Sequence, residues 1–323
     1  MRNTVRHRLI AILLTATMVV VGGCSSTDTP GVPPAQKADP GKAAADFAKV
    51  EASTNVDAKR YLYPTTTGTR DDDQNWVDLF IPEGDHADSS VPLVILIHGG
   101  GWQSEIGADS FVNFARRLGE RGLAVYNVEY RRVGAGGGWP TTFADVAAAL
   151  DYVPAVKAAN SAIDTDDVVV AGHSAGGQLA MWSGTRHRLE DNEVGAKPKF
   201  RPENVISLAG PLDMRKAVAM GDKYIEGVMS ASPDEAPERY AMVDPIQNID
   251  PSIPTIAIAG DRDHVVPAVL ARNYVAAARK AGAKSEFISI PGGNHVSIVD
   301  VNNGQFMTVL ETISRAAFTA QRD

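Results

Sequence analysis

Residues 172–177 read Gly-His-Ser-Ala-Gly-Gly and set one serine between glycines two positions to either side, after the apolar run 168–171 and ahead of a helical pattern. Where a buried strand meets a helix through small residues, the turn can expose a hydroxyl for attack. The glycines let strand and helix approach where a Cβ would obstruct them. Ser174 is therefore the candidate nucleophile. A serine hydroxyl attacks poorly near neutral pH unless a base takes its proton and a third group orients that base. Of the seven histidines, His7 lies in the basic N-terminal segment, His86 in a polar loop and His98 in a glycine cluster. His173 flanks the serine on a turn that points it elsewhere, His187 sits at a helix end, and His264 directly follows an acid cluster. His295 remains, in Gly-Gly-Asn-His (292–295), after the last strand-like run and before the last helix. For the orienting acid there are two candidates, Asp261 and Asp263, both within Gly-Asp-Arg-Asp-His-Val-Val-Pro (260–267). His98-Gly99-Gly100-Gly101-Trp102 adds a loop whose backbone can approach a substrate and offer N–H groups to a carbonyl oxygen on which negative charge develops.

These clusters need elements to hold them, and the chain supplies an alternation of strand-like and helical runs. Strands are predicted over 77–81, 92–97, 123–130, 167–171, 205–208, 254–259 and 285–290. Helices with apolar residues three and four apart are predicted over 111–118, 143–156, 178–186, 269–280 and 305–317. Runs such as Leu-Val-Ile-Leu-Ile lack alternation, as strands covered on both faces do. The pattern implies an α/β fold, a doubly wound, mostly parallel sheet. In such sheets the working site lies at the carboxyl ends of the strands, where all four clusters fall.

The joint occurrence of HGGGW, GHSAGG, GDRDHVVP and GGNH from about residue 76 onward resembles the esterase/lipase branch of the α/β-hydrolase superfamily. Its carboxylesterase and kynurenine-formamidase-like members are the most similar. The resemblance implies the α/β-hydrolase fold and the chain order Ser174, acid, His295. It also selects between the acids: GDRDHVVP is similar to the G-x-x-D-x-x-V-P element in which the fourth residue orients the histidine, here Asp263. Asp261 then shapes the loop. By resemblance to HGGG loops, the oxyanion donors would be the amides of Gly100 and Gly101 together with Ala175. The implied function is a serine carboxylic-ester hydrolase working through an acyl-enzyme, with an amidase or formamidase on the same residues, or a non-catalytic binding module, as alternatives. No metal or organic cofactor is implied, and the partner expected is a small-molecule ester.

Residues 209–250 form an excursion between two strands that would act as a cap, with Met214, Met220, Tyr224, Met229 and Tyr240 as candidate pocket residues. Trp102 and Trp139 are expected to border the substrate. The N-terminus has three arginines before an apolar stretch running only from Leu9 to Val21, short of the roughly 20 residues that span a bilayer. Val21-Gly22-Gly23-Cys24 resembles the lipobox of bacterial lipoproteins, which implies a signal peptide over 1–23, lipid on Cys24 and an exported protein anchored to the cell envelope membrane. A Pro-, Gly- and Ser-rich tether would cover 24–46 and the catalytic domain 47–323. One cysteine leaves no internal disulfide to form. Removal of residues 1–23 takes away three arginines and no acid, so the formal charge of −8 becomes −11, which argues against nucleic acid as a partner.

Overall fold

The structure is a computed structural model, and it describes residues 55–103 and 105–319. Cys24, the signal segment 1–23 and the tether 24–46 lie outside the described residues, as does the start of the catalytic domain.

Among the described residues, eight strands form one sheet. They are β1 (Val56–Leu62), β2 (Trp76–Pro82), β3 (Val91–Ile97), β4 (Ala124–Val128), β5 (Ile163–His173), β6 (Asn204–Leu208), β7 (Thr255–Gly260) and β8 (Ser285–Ile290). Their order across the sheet is β1-β2-β4-β3-β5-β6-β7-β8. β2 runs antiparallel to both β1 and β4, and every other pairing is parallel. The central strand β3 shows why the apolar runs do not alternate. Leu93, Ile95 and Ile97 enter the core on one face, while Val94 and Leu96 enter the core on the other. The first face packs against α2 (Thr141–Asp151), α3 (Val153–Ala159), α4 (Ala175–Ser183) and α8 (Val269–Lys280). The second packs against α1 (Val112–Gly119) and α9 (Phe306–Thr319). The doubly wound sheet expected from the sequence is present.

Three local differences from the predicted elements have physical causes. β1 is an edge strand with most of its side chains partly or fully exposed, so its sequence, VDAKRYL, carries no apolar alternation. It is held instead by a ladder to β2 and by Arg60, which pairs with the buried Asp78 at 2.7 Å and lies 3.5 Å above the Trp76 ring. The helix predicted over 143–156 is two helices, α2 and α3, because Pro154 at the start of α3 has no N–H to continue the ladder from α2. The helix predicted from 178 begins three residues earlier at Ala175, directly after the serine.

The segment 209–250 between β6 and β7 folds into α5 (Met214–Ala219), α6 (Lys223–Met229), α7 (Pro237–Val243) and the 3₁₀ turn Pro245–Gln247. These helices are too short to be stable alone, so α5 and α6 depend on capping side chains and all three on buried anchors. The Asp213 carboxylate accepts from Lys216 N at 3.1 Å, and that of Asp222 from Tyr224 N at 2.9 Å.

Candidate active site

Ser174 occupies the turn between β5 and α4 with φ 54° and ψ −121°, a conformation that costs an L residue free energy and persists only where surroundings enforce it. The enforcement is visible at the flanking glycines. A Cβ on Gly172 would lie 2.1 Å from Gly176 O, and one on Gly176 would lie 2.1 Å from Ile97 O, at the end of β3. The Ser174 amide also donates to Leu208 O at 2.8 Å, tying the turn to the end of β6. The strained serine therefore sits where three strand ends converge.

A continuous relay leads away from it. The Ser174 hydroxyl is 2.9 Å from Nε2 of His295, and Nδ1 of His295 is 2.8 Å from Oδ2 of Asp263. The carboxylate accepts from Nδ1–H, which leaves Nε2 bare to accept from the serine. Asp263 is itself fixed by Val265 N at 2.8 Å and Val266 N at 2.9 Å, both donating to Oδ1. Burial pushes its pKa up, but the His295 contact and these amides outweigh it and leave the carboxyl below its ordinary range. Asp261 stands outside the relay. Its Oδ1 accepts from Gly292 N at 2.7 Å, binding the acid loop to the loop that carries His295. That loop is shaped by Asn294, whose Oδ1 accepts from Val296 N at 3.0 Å and Ser297 N at 2.9 Å.

The glycine loop approaches the serine at Gly99, where a Cβ would lie 3.1 Å from that of Ser174. Gly100 and Gly101 follow with φ of 104° and 63°, open only to residues free to turn left-handed. Ala175 is the first residue of α4, so its amide has no acceptor one turn back and points from the positive end of the helix. Beneath the loop, the buried His98 stacks on Tyr130 with ring centroids 4.3 Å apart. Its ring nitrogens face Gly99 O at 2.8 Å and Glu129 Oε1 at 3.1 Å, and Tyr130 OH donates to His98 O at 3.0 Å. Glu129 also accepts from Ala108 N at 2.8 Å. Burial raises the Glu129 pKa, but His98, Arg132 and the Ala108 amide pull it back below the usual carboxylate value. From sequence, Glu129 and Tyr130 have only a place in the strand predicted over 123–130, and none of Glu129, Tyr130 and Arg132 has a part in the site. Their signal was a run of charged and aromatic residues, EYRR, at the carboxyl end of a buried strand.

Several predicted pocket residues are elsewhere. Trp102 is only 2% exposed: with φ 57° the chain turns there and its indole joins the sheet core. Trp139 packs on Phe143 with centroids 5.4 Å apart and lines a cleft of about 510 Å³ with Asp151, Arg186, Val194 and Met242. That lining contains none of Ser174, Asp263 and His295. Met214, Met229 and Tyr240 are buried anchors of the cap helices. Tyr224 is different: it is 58% exposed, and its ring lies 3.2 Å from the position of a Cβ on Gly101. Ile106, 41% exposed, crowds Gly100 in the same way at 2.7 Å.

Comparison with known proteins follows the same lines. The BD-FAE family matches residues 77–276, which contain Ser174 and Asp263 but end before His295. Esterase LipC of Mycobacterium tuberculosis is 25% identical over 247 residues, 73% of this chain. The chain spans 60% of that relative's length. Among solved structures, a bacterial heroin esterase superposes with a TM-score of 0.67 at 23% identity, over 88% of this chain and 90% of its own. A truncated carbohydrate esterase from gut microbiota gives 0.67 at 22%, over 82% and 98%. The sheet order and these superpositions make the fold that of an α/β-hydrolase, and with most of its length matched, the chain belongs to the BD-FAE family.

Proposed function

We propose that this protein hydrolyses carboxylic esters through a covalent acyl-enzyme on Ser174. The observation that carries this reading is the relay from Ser174 Oγ through His295 to Asp263, with both hydrogen bonds under 3 Å. Oγ attacks the ester carbonyl carbon as its proton passes to Nε2 of His295. Negative charge on the carbonyl oxygen is met by the amides of Gly100, Gly101 and Ala175, each contributing on the order of 3 kcal/mol of transition-state stabilisation. Collapse expels the alcohol, which leaves with the proton held by His295. Water then attacks the acyl carbon with His295 again as base, releasing the acid and restoring Ser174. Asp263 keeps the imidazole in the reactive tautomer and stabilises its cationic form. The esterases among the relatives and structural neighbours support a carboxylic ester as the substrate.

The test is the intact mass of the full chain after exposure to a fluorophosphonate, together with turnover of a short p-nitrophenyl ester. One adduct and ester turnover on the parent, with neither on Ser174→Ala, is the expected result. A folded parent that neither labels nor turns over ester overturns the reading. We infer further that the protein is exported and held at the cell envelope by lipid on Cys24, on the support of the basic segment, the short apolar stretch and the cysteine that follows. Incorporation of radiolabelled palmitate, lost in Cys24→Ser, is the expected result.

A further inference from the structure

His173, the second residue of the pentapeptide, is left without a role by the reaction above, yet it lies at the meeting point of the site's loops. The turn that exposes Ser174 sends the His173 side chain inward, where it is 8% exposed. Its Nε2 lies 2.8 Å from the backbone carbonyl of His295. A carbonyl only accepts, so Nε2 carries the proton and Nδ1 is bare. On its other side the ring meets the glycine loop: a Cβ on Gly99 would lie 2.9 Å from Nδ1. Phe111 closes over it with ring centroids 6.3 Å apart. One side chain, joined through the backbone to the serine, thus touches both the loop that carries the base and the loop beside the oxyanion donors.

Its charge state matters as much as its reach. The two imidazoles are 4.7 Å apart between centroids, close enough for a cation on His295 to oppose proton uptake by His173. Burial, and then His295 itself, push the His173 pKa down to about 3, against smaller opposing effects from the His295 carbonyl and Asp263. Burial thus favours the neutral ring, a donor that sets no charge beside the base.

We propose that His173 is a positioning residue: its Nε2–H, bonded to the His295 carbonyl, holds the backbone of the base so that His295 Nε2 stays within hydrogen-bond reach of Ser174 Oγ. This rests on the Ser-His-Asp reading. A lysine or arginine could also donate to that carbonyl, but it would set a fixed charge beside the base. The geometry calls for a neutral donor, and a buried imidazole supplies one.

The discriminating pair is His173→Gln and His173→Met in the full chain. Their side chains are nearly isosteric, and only the glutamine carries a donor able to reach the carbonyl. Misplacement of a catalytic group by about 1 Å can cost on the order of 100-fold. The expected result for His173→Met is a 10- to 100-fold loss in kcat on a short p-nitrophenyl ester, with KM within about twofold and fluorophosphonate labelling slowed in parallel. His173→Gln should return kcat to within about threefold of the parent, with a melting temperature close to that of the methionine variant. Should the methionine variant fail to fold, His173→Asn replaces it, as its donor is one methylene too short and should be equally slow. A methionine or asparagine variant within twofold of the parent overturns the inference, as does a glutamine variant no faster than they are. A parent that labels nowhere and turns over no ester overturns the Ser-His-Asp reading instead.

Discussion

The two sides of the candidate site are held in different ways. On the base side, each reacting group is fixed from more than one direction: Ser174 by the strand ends around its turn, Asp263 by two amides, and His295 by Asp263 at its ring and His173 at its backbone. Across from it, the segment 209–250 is built of short helices held by capping aspartates and a few buried side chains, while Met220 and Tyr224 face outward, 51% and 58% exposed. Attack on a carbonyl needs geometry that is set before the substrate arrives, and only the first side offers that. The second can change side chains at little cost to the fold. On the proposed reaction, chemistry and selectivity would thus be carried by separately held parts of the molecule, and substitutions on the two sides should differ in kind as well as in size.

The sharpest break is Asp263→Asn. The amide removes the charge that stabilises the imidazolium and favours the wrong tautomer of His295, so kcat should fall by about 10⁴ while KM changes little. A loss below tenfold would detach Asp263 from the reaction. Because its carboxyl is held below the ordinary range, it stays ionised wherever a histidine base operates, and it does not set the acid limb of activity. Its contribution to stability is complete above the unfolded value of about 4 and is lost only as pH falls through the lower folded value.

Next in size is the backbone of the turn. Gly176→Ala would drive a methyl into two carbonyl oxygens, Ile97 O at 2.1 Å and His98 O at 2.4 Å, neither of which can move without shifting the end of β3. A loss of more than about 3 kcal/mol in unfolding free energy is expected, read by urea titration. An alanine variant within 1 kcal/mol of the parent would show that the strand ends are not closely fitted.

Within the cap, Asp244 is the buried anchor whose charge should matter. It follows α7 and accepts from Met214 N at 3.0 Å and Gln247 Nε2 at 2.8 Å, so it joins both ends of the segment. Burial dominates these contacts and pushes its pKa up to about 6. The folded protein therefore binds this proton more tightly than the unfolded chain, whose value is about 4. Stability from this group is fully present below about 4, declines as pH rises to about 6, and is lower by on the order of 3 kcal/mol above that. Asp244→Asn keeps the acceptor for Met214 and removes the charge, so its melting temperature should gain on the parent's as pH rises from 4 to 7. Parallel curves would show that the carboxylate is better accommodated than its burial implies.

How far these parts could be read from sequence follows the same division. Ser174 and His295 were legible because the turn demands glycine at fixed offsets and only one histidine stood at a suitable strand end. The choice of Asp263 over Asp261 needed the resemblance. Spacing alone cannot tell which of two carboxylates in one loop faces the imidazole and which, by accepting from Gly292, closes the loop. The inward turn of Trp102 was illegible, since it depends on left-handed dihedrals in three successive residues, Gly100, Gly101 and Trp102. So was the role of His173, which is a contact across 122 residues of sequence. β1 escaped because an edge strand needs no apolar period, and the cap helices because capping aspartates and a handful of anchors leave too short a pattern to count.

The smallest effect tests the cap side directly. Tyr224 and Ile106 are large, exposed and pressed against the two glycines that would hold the oxyanion, so they are placed to meet whatever extends from the reacting carbonyl. Both leave apolar surface open beside the glycine loop. Tyr224→Ser should therefore leave unfolding free energy within about 0.5 kcal/mol of the parent, as expected for an exposed side chain. Its effect should instead grow with the substrate: a loss in kcat/KM of about three- to tenfold on an octanoyl ester, against a smaller loss on the acetyl ester, which has less apolar surface to place on the ring. Equal losses on both esters would mean that the ring acts on the glycine loop beneath it. The cap side would then share in the chemistry, and the division between the two sides would have to be redrawn at Gly101.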